Sequence, residues 1–459
     1  MNLPNFESLA RKYRYQALGE ACRDLGIDSL FLAHHEDDQA ETVLMRMING
    51  HRTLGLAGMK RSSEIPECYG IHGVHESSGL TVIGDASKSD QIQTKSIPYL
   101  SPGGIRTNGR LPGPLAVEKG GVRIHRPLLE FSKARLIATC RAERMVWFED
   151  HTNKDPTVTV RNAIRYIYSS HSMPTALATS ALLELAKKSE IKKNTLLSAA
   201  MKCLRESNIW RFEMRSGILI IRFTEFDNLT KLPTQSGTEM MAALMLREVI
   251  RLITPEEHVH VQSLHGSVER IFPKILQHET VSEPTAFTVS SVQFRPLIAS
   301  QQEIPSNKNT TWLVSRQPHS SRHKIPNIPI APALAPCFDP PWSPWTLYDG
   351  RFWFRIQNKT ARPIFLRPFF KSGLKKFRHS LGKANEELLH LMLKDLAPGD
   401  VRWTLPALVT QSPGGGQTIL ALPTLHVSLP DIQTYVNWEV RYKKVANDLL
   451  SGNGLSSIT

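Results

Sequence analysis

The chain has 459 residues, room for about two to four domains of roughly 100–200 residues, and its 56 Lys and Arg against 42 Asp and Glu leave a formal net charge of +14. That balance points to a polyanionic partner, nucleic acid before membrane; no window approaches about 18 consecutive apolar residues and the N-terminus lacks a signal-peptide core, so no membrane span is expected. The five cysteines (Cys22, Cys68, Cys140, Cys203, Cys337) stand far apart with no C-x-x-C pair, which excludes a secreted disulfide scaffold and makes a reducing compartment without structural zinc the default.

Residues 5–25 place Leu9, Tyr13, Ala17, Ala21 and Leu25 four apart, which predicts a helix with an apolar stripe, Arg11, Lys12, Arg14 and Arg23 facing elsewhere. Gly26 ends it, and Ser29 to Ala33 reads as a short buried parallel strand. The polar stretch 34–38 follows, then an apolar helical pattern over 39–48 with Asp37 or Asp38 as the expected N-cap. Residues 61–121, rich in Gly, Ser and Pro and without periodicity, read as an inserted loop. Structure returns as a strand over 122–126, a helix capped by Ser132 and running to about Arg144, a polar turn after Trp147-Phe148-Glu149-Asp150, and a helix beginning at Arg161. Residues 175–205 and 236–253 read as helices, 207–223 as a hairpin turning at Ser216-Gly217, and 301–344 as a Pro- and Ser-rich linker. Strand-like pieces at 345–356, 401–410 and 418–421 then suggest a small C-terminal module, and no internal repeat is visible.

The strongest local pattern is His35-x-Asp37-Asp38-Gln39-x-Glu41 at the junction of a strand and a helix. In open α/β sheets ligands bind at the carboxyl ends of strands, where carboxylates hold Mg²⁺ or an amine and a helix N-terminus faces phosphate. The plainer reading is that Asp38 caps the helix and His35 bonds the next loop; spacing alone leaves both open.

The pattern does not stand alone. AHHEDDQAETVLMRMINGHRTLGLAGM (33–59), RPLL (126–129), WFEDHTNKDPTVTVRNAIR (147–165) and ARKYRYQAL (10–18) occur in an order that resembles the tRNA(Ile)-lysidine synthetases, members of the PP-loop ATP pyrophosphatases. The resemblance covers most of 8–168 outside the insertion, and loosely the C-terminal pieces. It implies an α/β fold: a PP-loop (adenine nucleotide alpha-hydrolase-like) parallel-sheet domain over 1–170, shortened at its N-terminus, with the insertion at 61–121. A mixed middle region over 171–300, the linker 301–344 and a small α+β C-terminal tRNA-binding domain over 345–459 complete the expectation. It also implies a ligase that uses ATP and Mg²⁺ to activate C2 of the wobble cytidine of tRNA(Ile) with a CAU anticodon as an adenylate. L-lysine then joins through its ε-amine, releasing AMP and pyrophosphate.

On that resemblance His35, Asp37, Asp38, Gln39 and Glu41 line the activation site, with Asp38 the metal ligand. Arg126, Asp150, Asn153, Arg161, Asn162 and Arg165 form a second block over nucleotide and base, guanidinium being suited to phosphate. The plainer reading of that block is a turn plus a solvated helix face. One departure stands out: the Ser-Gly-Gly-x-Asp-Ser phosphate loop of PP-loop enzymes does not occur, and SPGG at 101–104 and SPGGG at 412–416 match it only in composition. The sequence therefore reads either as lacking an N-terminal segment or as a non-catalytic tRNA-binding remnant of the enzyme.

Between Lys359 and Lys383 eight cations, with Arg362, Arg367, Lys371, Lys375, Lys376 and Arg378 central, interleave with four Phe and no acid, which suits a tRNA backbone or a core with a basic rim. His258, His260 and His265 read as ordinary surface histidines, since a metal needs further ligands. The expected setting is the mitochondrial matrix, on the strength of the basic charge and the insertion, with the cytoplasm as the alternative, and a homodimer is admitted.

Overall fold

The computed structural model describes residues 6–75, 115–148, 155–157, 159–224, 235–276, 283–297, 310–320, 325–333, 340–411 and 415–445. The chain divides into two compact units, one of residues 1–83 and 119–198, the other of residues 84–118 and 199–459. In the first unit α1 (Phe6–Asp24), β1 (Ser29–Phe31), α2 (Glu36–Ile48) and β2 (Ser62–Glu64) come in order. After β3 (Ala116–Val117), which belongs to the second unit, follow β4 (Arg123–His125), α3 (Lys133–Ala142), α4 (Val160–Ser170) and α5 (Thr179–Glu206), whose residues from 199 on are counted with the second unit. The sheet order is β1-β4-β2, with β1 parallel and β2 antiparallel to β4. The chain is thus mixed α/β, with parallel strand pairing where the site begins. Of the expected inserted loop 61–121, Ser62–Glu64 is a strand on β4, and residues 76–114 lie outside the described residues.

The helix at 6–24 forms as its spacing predicts, but it buries a different face. Tyr15, Gly19 and Cys22 turn inward to Ile65, Cys68, Val74 and Ile124, while Leu9, Tyr13 and Leu25 stay 41%, 67% and 74% exposed. A Cβ on Gly19 would lie 2.5 Å from a Val74 methyl, so the absent side chain lets the helix approach and selects the face about 200° from the apolar stripe.

The second unit opens with the predicted hairpin, β5 (Asn208–Glu213) and β6 (Ile218–Arg222), Gly217 taking φ +68 in its turn. Helix α6 (Gln235–Ile253) is buried along most of its length and is followed by α7 (His265–Ile271), β7 (Phe287–Val289), β8 (Val292–Leu297) and β9 (Thr311–Arg316). The antiparallel order is β5-β6-β9-β8-β7. Strand β9 falls inside the stretch read as a linker: Trp312 and Val314 are buried at its centre, and the polar composition around them hid a six-residue strand.

Next come β10 (Ile328–Ile330), β11 (Thr346–Tyr348), β12 (Phe352–Asn358), β13 (Ile364–Pro368), α8 (Lys371–Ser380), α9 (Lys383–Asp395) and β14 (Pro406–Gln411). Strands β15 (Gln417–Leu422) and β16 (Val427–Ser428), helix α10 (Ile432–Tyr435) and strand β17 (Val436–Tyr442) complete the order. They make two sheets, β11-β12-β17-β3 and β10-β13-β14-β15-β16, the latter covered by Phe369, Phe377, Leu389 and Leu393 from the α8–α9 side.

A buried ionic joint ties these sheets together. Arg351, fully buried, donates to Asp349, to the Ser216 carbonyl at 3.1 Å and to the Thr404 carbonyl at 2.9 Å, while Arg316 of β9 makes two further bonds to Asp349 at 3.1 and 3.2 Å. Burial alone would raise the Asp349 pKa, but Arg351 and Arg316 outweigh it and hold the carboxyl below its ordinary value. His319 lies in the same region, and burial, opposed by Asp349, lowers its pKa from 6.5 to about 4. A histidine held neutral in the folded state binds its proton more readily when unfolded, so stability falls as pH drops from 6.5 towards 4. His319→Gln should flatten that part of a stability-against-pH curve measured by urea unfolding; an unchanged slope would contradict the assignment.

Candidate active site

The site grows from the end of β1. His35 is the N-cap of α2, two or three residues ahead of the expected Asp37 or Asp38. Its Nδ1 accepts the Asp38 N–H at 3.4 Å and Asp38 Oδ2 accepts the His35 N–H at 3.0 Å, a reciprocal cap in which an imidazole takes the place of a hydroxyl. Glu36, Asp37 and Asp38 then occupy the first turn, where the helix dipole favours negative charge. Asp37 accepts the backbone N–H of Lys133 at 2.7 Å and so also serves the first turn of α3.

Asp38 and Glu41, three apart, share the face of α2 that meets α4, which presents Arg161 and Arg165 four apart. Arg165 donates to Glu41 Oε1 at 2.7 Å and to Asp38 Oδ1 at 3.1 Å. Arg161 Nε stands 3.5 Å from Glu41 Oε2, and neither atom makes a hydrogen bond. Burial raises the Glu41 pKa above its ordinary 4.5, against the pull of Arg165 and Arg161. Neighbouring His34, its Nδ1 buried without a hydrogen bond, is pushed down by burial.

The expected residues therefore part company. His35, Asp37, Glu41 and Arg165 line a cleft of about 780 Å³ with Lys133, Ile137, Trp147, Phe148, Tyr168 and Thr179. Asp38 and Arg161 are joined to it through the ion pairs. Gln39 faces elsewhere: its amide donates to the Met59 carbonyl at 2.9 Å and accepts the Met59 N–H at 2.7 Å, pinning the turn at Gly58. Arg126 is buried on the Lys60 carbonyl at 2.9 Å and Ser63 Oγ at 3.1 Å, and Asn162 donates to the Asp155 carbonyl at 2.9 Å. Asp150 and Asn153 lie outside the described residues.

Sequence reasoning missed Lys133, Trp147, Phe148 and Tyr168. The available signal was the aromatic pair that opens the second motif block, Trp147-Phe148, which the structure leaves 40% and 94% exposed. The result is a cleft whose lining mixes aromatic side chains with charged ones, suited to a planar polar ring. Both carboxylate oxygens of Asp38, the expected metal ligand, are engaged by protein donors, the His35 N–H and Arg165. The three separated histidines of the second unit form no cluster, His265 pairing with Glu239.

In the basic segment Lys371, Lys375 and Lys376 are exposed along α8, and Arg362 is exposed on the turn before β13. Arg367 donates to Gln417 at 2.5 Å and Arg378 pairs with Glu386 at 3.0 Å. Phe369 and Phe377 are core residues, which leaves Phe365 and Phe370 half-buried.

Residues 2–72 and 87–169 match the family of PP-loop domains. Over 428 residues, 92% of this chain and 74% of the relative, the sequence is 26% identical to the probable tRNA(Ile)-lysidine synthase of Schizosaccharomyces pombe. It is 30% identical to the tRNA(Ile)-lysidine synthase of Rhodopseudomonas palustris over 33% of this chain and 29% of that one. The enzyme of that name from Novosphingobium aromaticivorans is 49% identical over 57 residues, 12% of this chain and 18% of its own. The chain thus spans about three quarters of the yeast relative and less than a third of these two bacterial ones.

Proposed function

We propose that this chain, which carries a PP-loop domain and is a homologue of the tRNA(Ile)-lysidine synthases, is an ATP-dependent ligase that joins L-lysine to C2 of the wobble cytidine of tRNA(Ile). The observation that carries the reading is the cleft lined together by Asp37, Glu41, Arg165 and Lys133 and by Trp147, Phe148 and Tyr168, inside the matched domain. ATP, when bound, supplies the adenylate that turns the cytidine C2 oxygen into a leaving group. Arg165 and Lys133 offer cationic partners for phosphate, and the aromatic side chains a stacking surface for a base. Asp37, a half-buried carboxylate of the cleft, orients the lysine ammonium. Glu41, which lines the same cleft and whose carboxyl pKa is raised by burial, takes the proton that the amine must lose before attack. Mg²⁺ remains part of the expectation through the pyrophosphate it would neutralise, and no residue role here depends on it.

The test is AMP formation from ATP by the purified protein with and without lysine, in the presence of CAU-anticodon tRNA(Ile). Lysine-dependent AMP supports the ligase; tight tRNA binding without it replaces the ligase by the non-catalytic tRNA-binding reading. The exposed lysines of α8 are proposed to contact the tRNA backbone. Lys375→Ala with Lys376→Ala should weaken tRNA binding and lower the slope of log affinity against log salt by about 2, one for each lost phosphate contact. A double variant with an unchanged slope would remove α8 from the interface. The mitochondrial matrix is the proposed location, supported by the +14 charge, and import of a tagged protein tests it.

A further inference from the structure

A second surface of the C-terminal region is built for stacking. In sheet β11-β12-β17-β3 the register sets Arg355 opposite Glu439 and Trp353 opposite Arg441, so these four share one face. Segment 340–345 is fastened along β12: Ser343 donates its N–H to the Ile356 carbonyl and accepts the Ile356 N–H on Oγ, both at 2.9 Å, and Gln357 donates to the Pro340 carbonyl at 2.7 Å. Two tryptophans on that segment come to the arginines. The Arg355 guanidinium lies 5.0 Å from the Trp342 ring centre and 5.2 Å from that of Trp345, and Arg441 lies 4.5 Å from Trp345. Planar groups therefore alternate along Trp342, Arg355, Trp345 and Arg441, with Glu439 holding Arg355 at 2.5 Å.

Trp342, at one end of this ladder, is 37% exposed. Its neighbours fix it before any ligand arrives, so a base stacking there would order little that is not already ordered. We propose that this ladder binds unpaired RNA nucleotides, one base continuing the stack on Trp342 and the backbone phosphates facing Arg355 and Arg441. Two features favour RNA over a protein partner. Residues 340–445 carry fifteen Lys and Arg against seven Asp and Glu, a net of +8. Among the described residues of that stretch the exposed large hydrophobics are Trp342, Leu391 and Tyr435, scattered along the chain rather than gathered on this face, where a protein interface would need a broader apolar centre. Stacking on an aromatic side chain combined with arginine cation–π contacts is the means by which single strands are held without sequence readout. The basic helix α8 lies on the other C-terminal sheet, so this surface is separate from the lysines discussed above.

The inference does not rest on the ligase reading, because an oligomer without a lysidine substrate tests it. A fluorescently labelled unpaired RNA pentamer is titrated onto the whole protein, and anisotropy is followed at several salt concentrations. Trp342→Ala should weaken binding about 10-fold, the loss expected for one stacked base, while Trp342→Phe keeps most of the affinity. Equal affinity of Trp342→Ala and the parent protein overturns the proposal. So does equal, Trp342-dependent binding of an acidic peptide of the same charge, which would make the surface a protein-docking site. Photocrosslinking a 4-thiouridine pentamer to the unmodified protein guards against a variant that fails to fold: crosslinks at 342–345 support the platform, and crosslinks confined elsewhere refute it.

Discussion

Arg351→Ala should destabilise the second unit by about 4 kcal/mol, the scale for breaking a buried, hydrogen-bonded ion pair. The side chain is wholly buried, and its loss strips one partner from Asp349, leaves the Ser216 and Thr404 carbonyls without their donor, and opens a cavity beneath Phe352 and Tyr442. Arg316 would still face Asp349, which keeps the loss near the middle of that range. Hydrogen exchange of β9 and β12 in urea gives the local opening free energy without assuming that the two units unfold together. A loss under about 1 kcal/mol would mean that the joint is well relaxed without its arginine. The same joint predicts acid sensitivity. Asp349, depressed in the folded state, contributes stability above its ordinary 3.8 that is lost as pH falls through the lower folded value.

Glu41→Gln should reduce lysine transfer about 100-fold or more, the usual contribution of a positioned base, with tRNA affinity unchanged. The amide keeps the shape and still accepts from Arg165 but takes up no proton. In the parent protein the base works only when ionised, so kcat/KM rises with pH. Because burial sets the Glu41 pKa above 4.5, that rise lies above the range of an ordinary glutamate and should vanish in the variant. A variant that keeps the pH profile and most of the rate would assign Glu41 to holding α4 in place. Arg165→Ala separates the two cases further, since it leaves Asp38 and Glu41 together without their shared cation and should cost stability before chemistry.

Local patterns were legible where local physics decides. The Ser132 cap and α3, the hairpin turning at Gly217, and α6 follow from cap, turn and period. What failed was the direction of a face. Tyr13 and Leu9 advertise the apolar side of α1, yet a glycine at 19 admits Val74 from the opposite side, and that contact joins residues 55 apart in sequence. His35 as a cap was hidden because the residues that usually cap are the two aspartates after it.

The candidate site was read as a set of residue types, without their pairing. Nothing in the spacing of Glu41 and Arg165, 124 positions apart, says that they bond, or that Gln39, two residues before Glu41, is spent on Met59. The basic segment shows the same limit. Four phenylalanines interleaved with cations look alike in the sequence, and only packing sends Phe369 and Phe377 into the core. Lys133 and Phe148 gained their place from the cleft that α2, α3 and α4 enclose, which no single stretch contains.

The most direct test of the central claim is to follow carbon-labelled lysine into CAU-anticodon tRNA(Ile) with ATP and Mg²⁺ present, and then to locate the label by nuclease digestion and mass spectrometry. The account predicts label at the wobble cytidine, dependent on ATP and lost in Glu41→Gln. Label that never enters the tRNA, from a protein that still binds it, would contradict the ligase and leave a tRNA-binding protein.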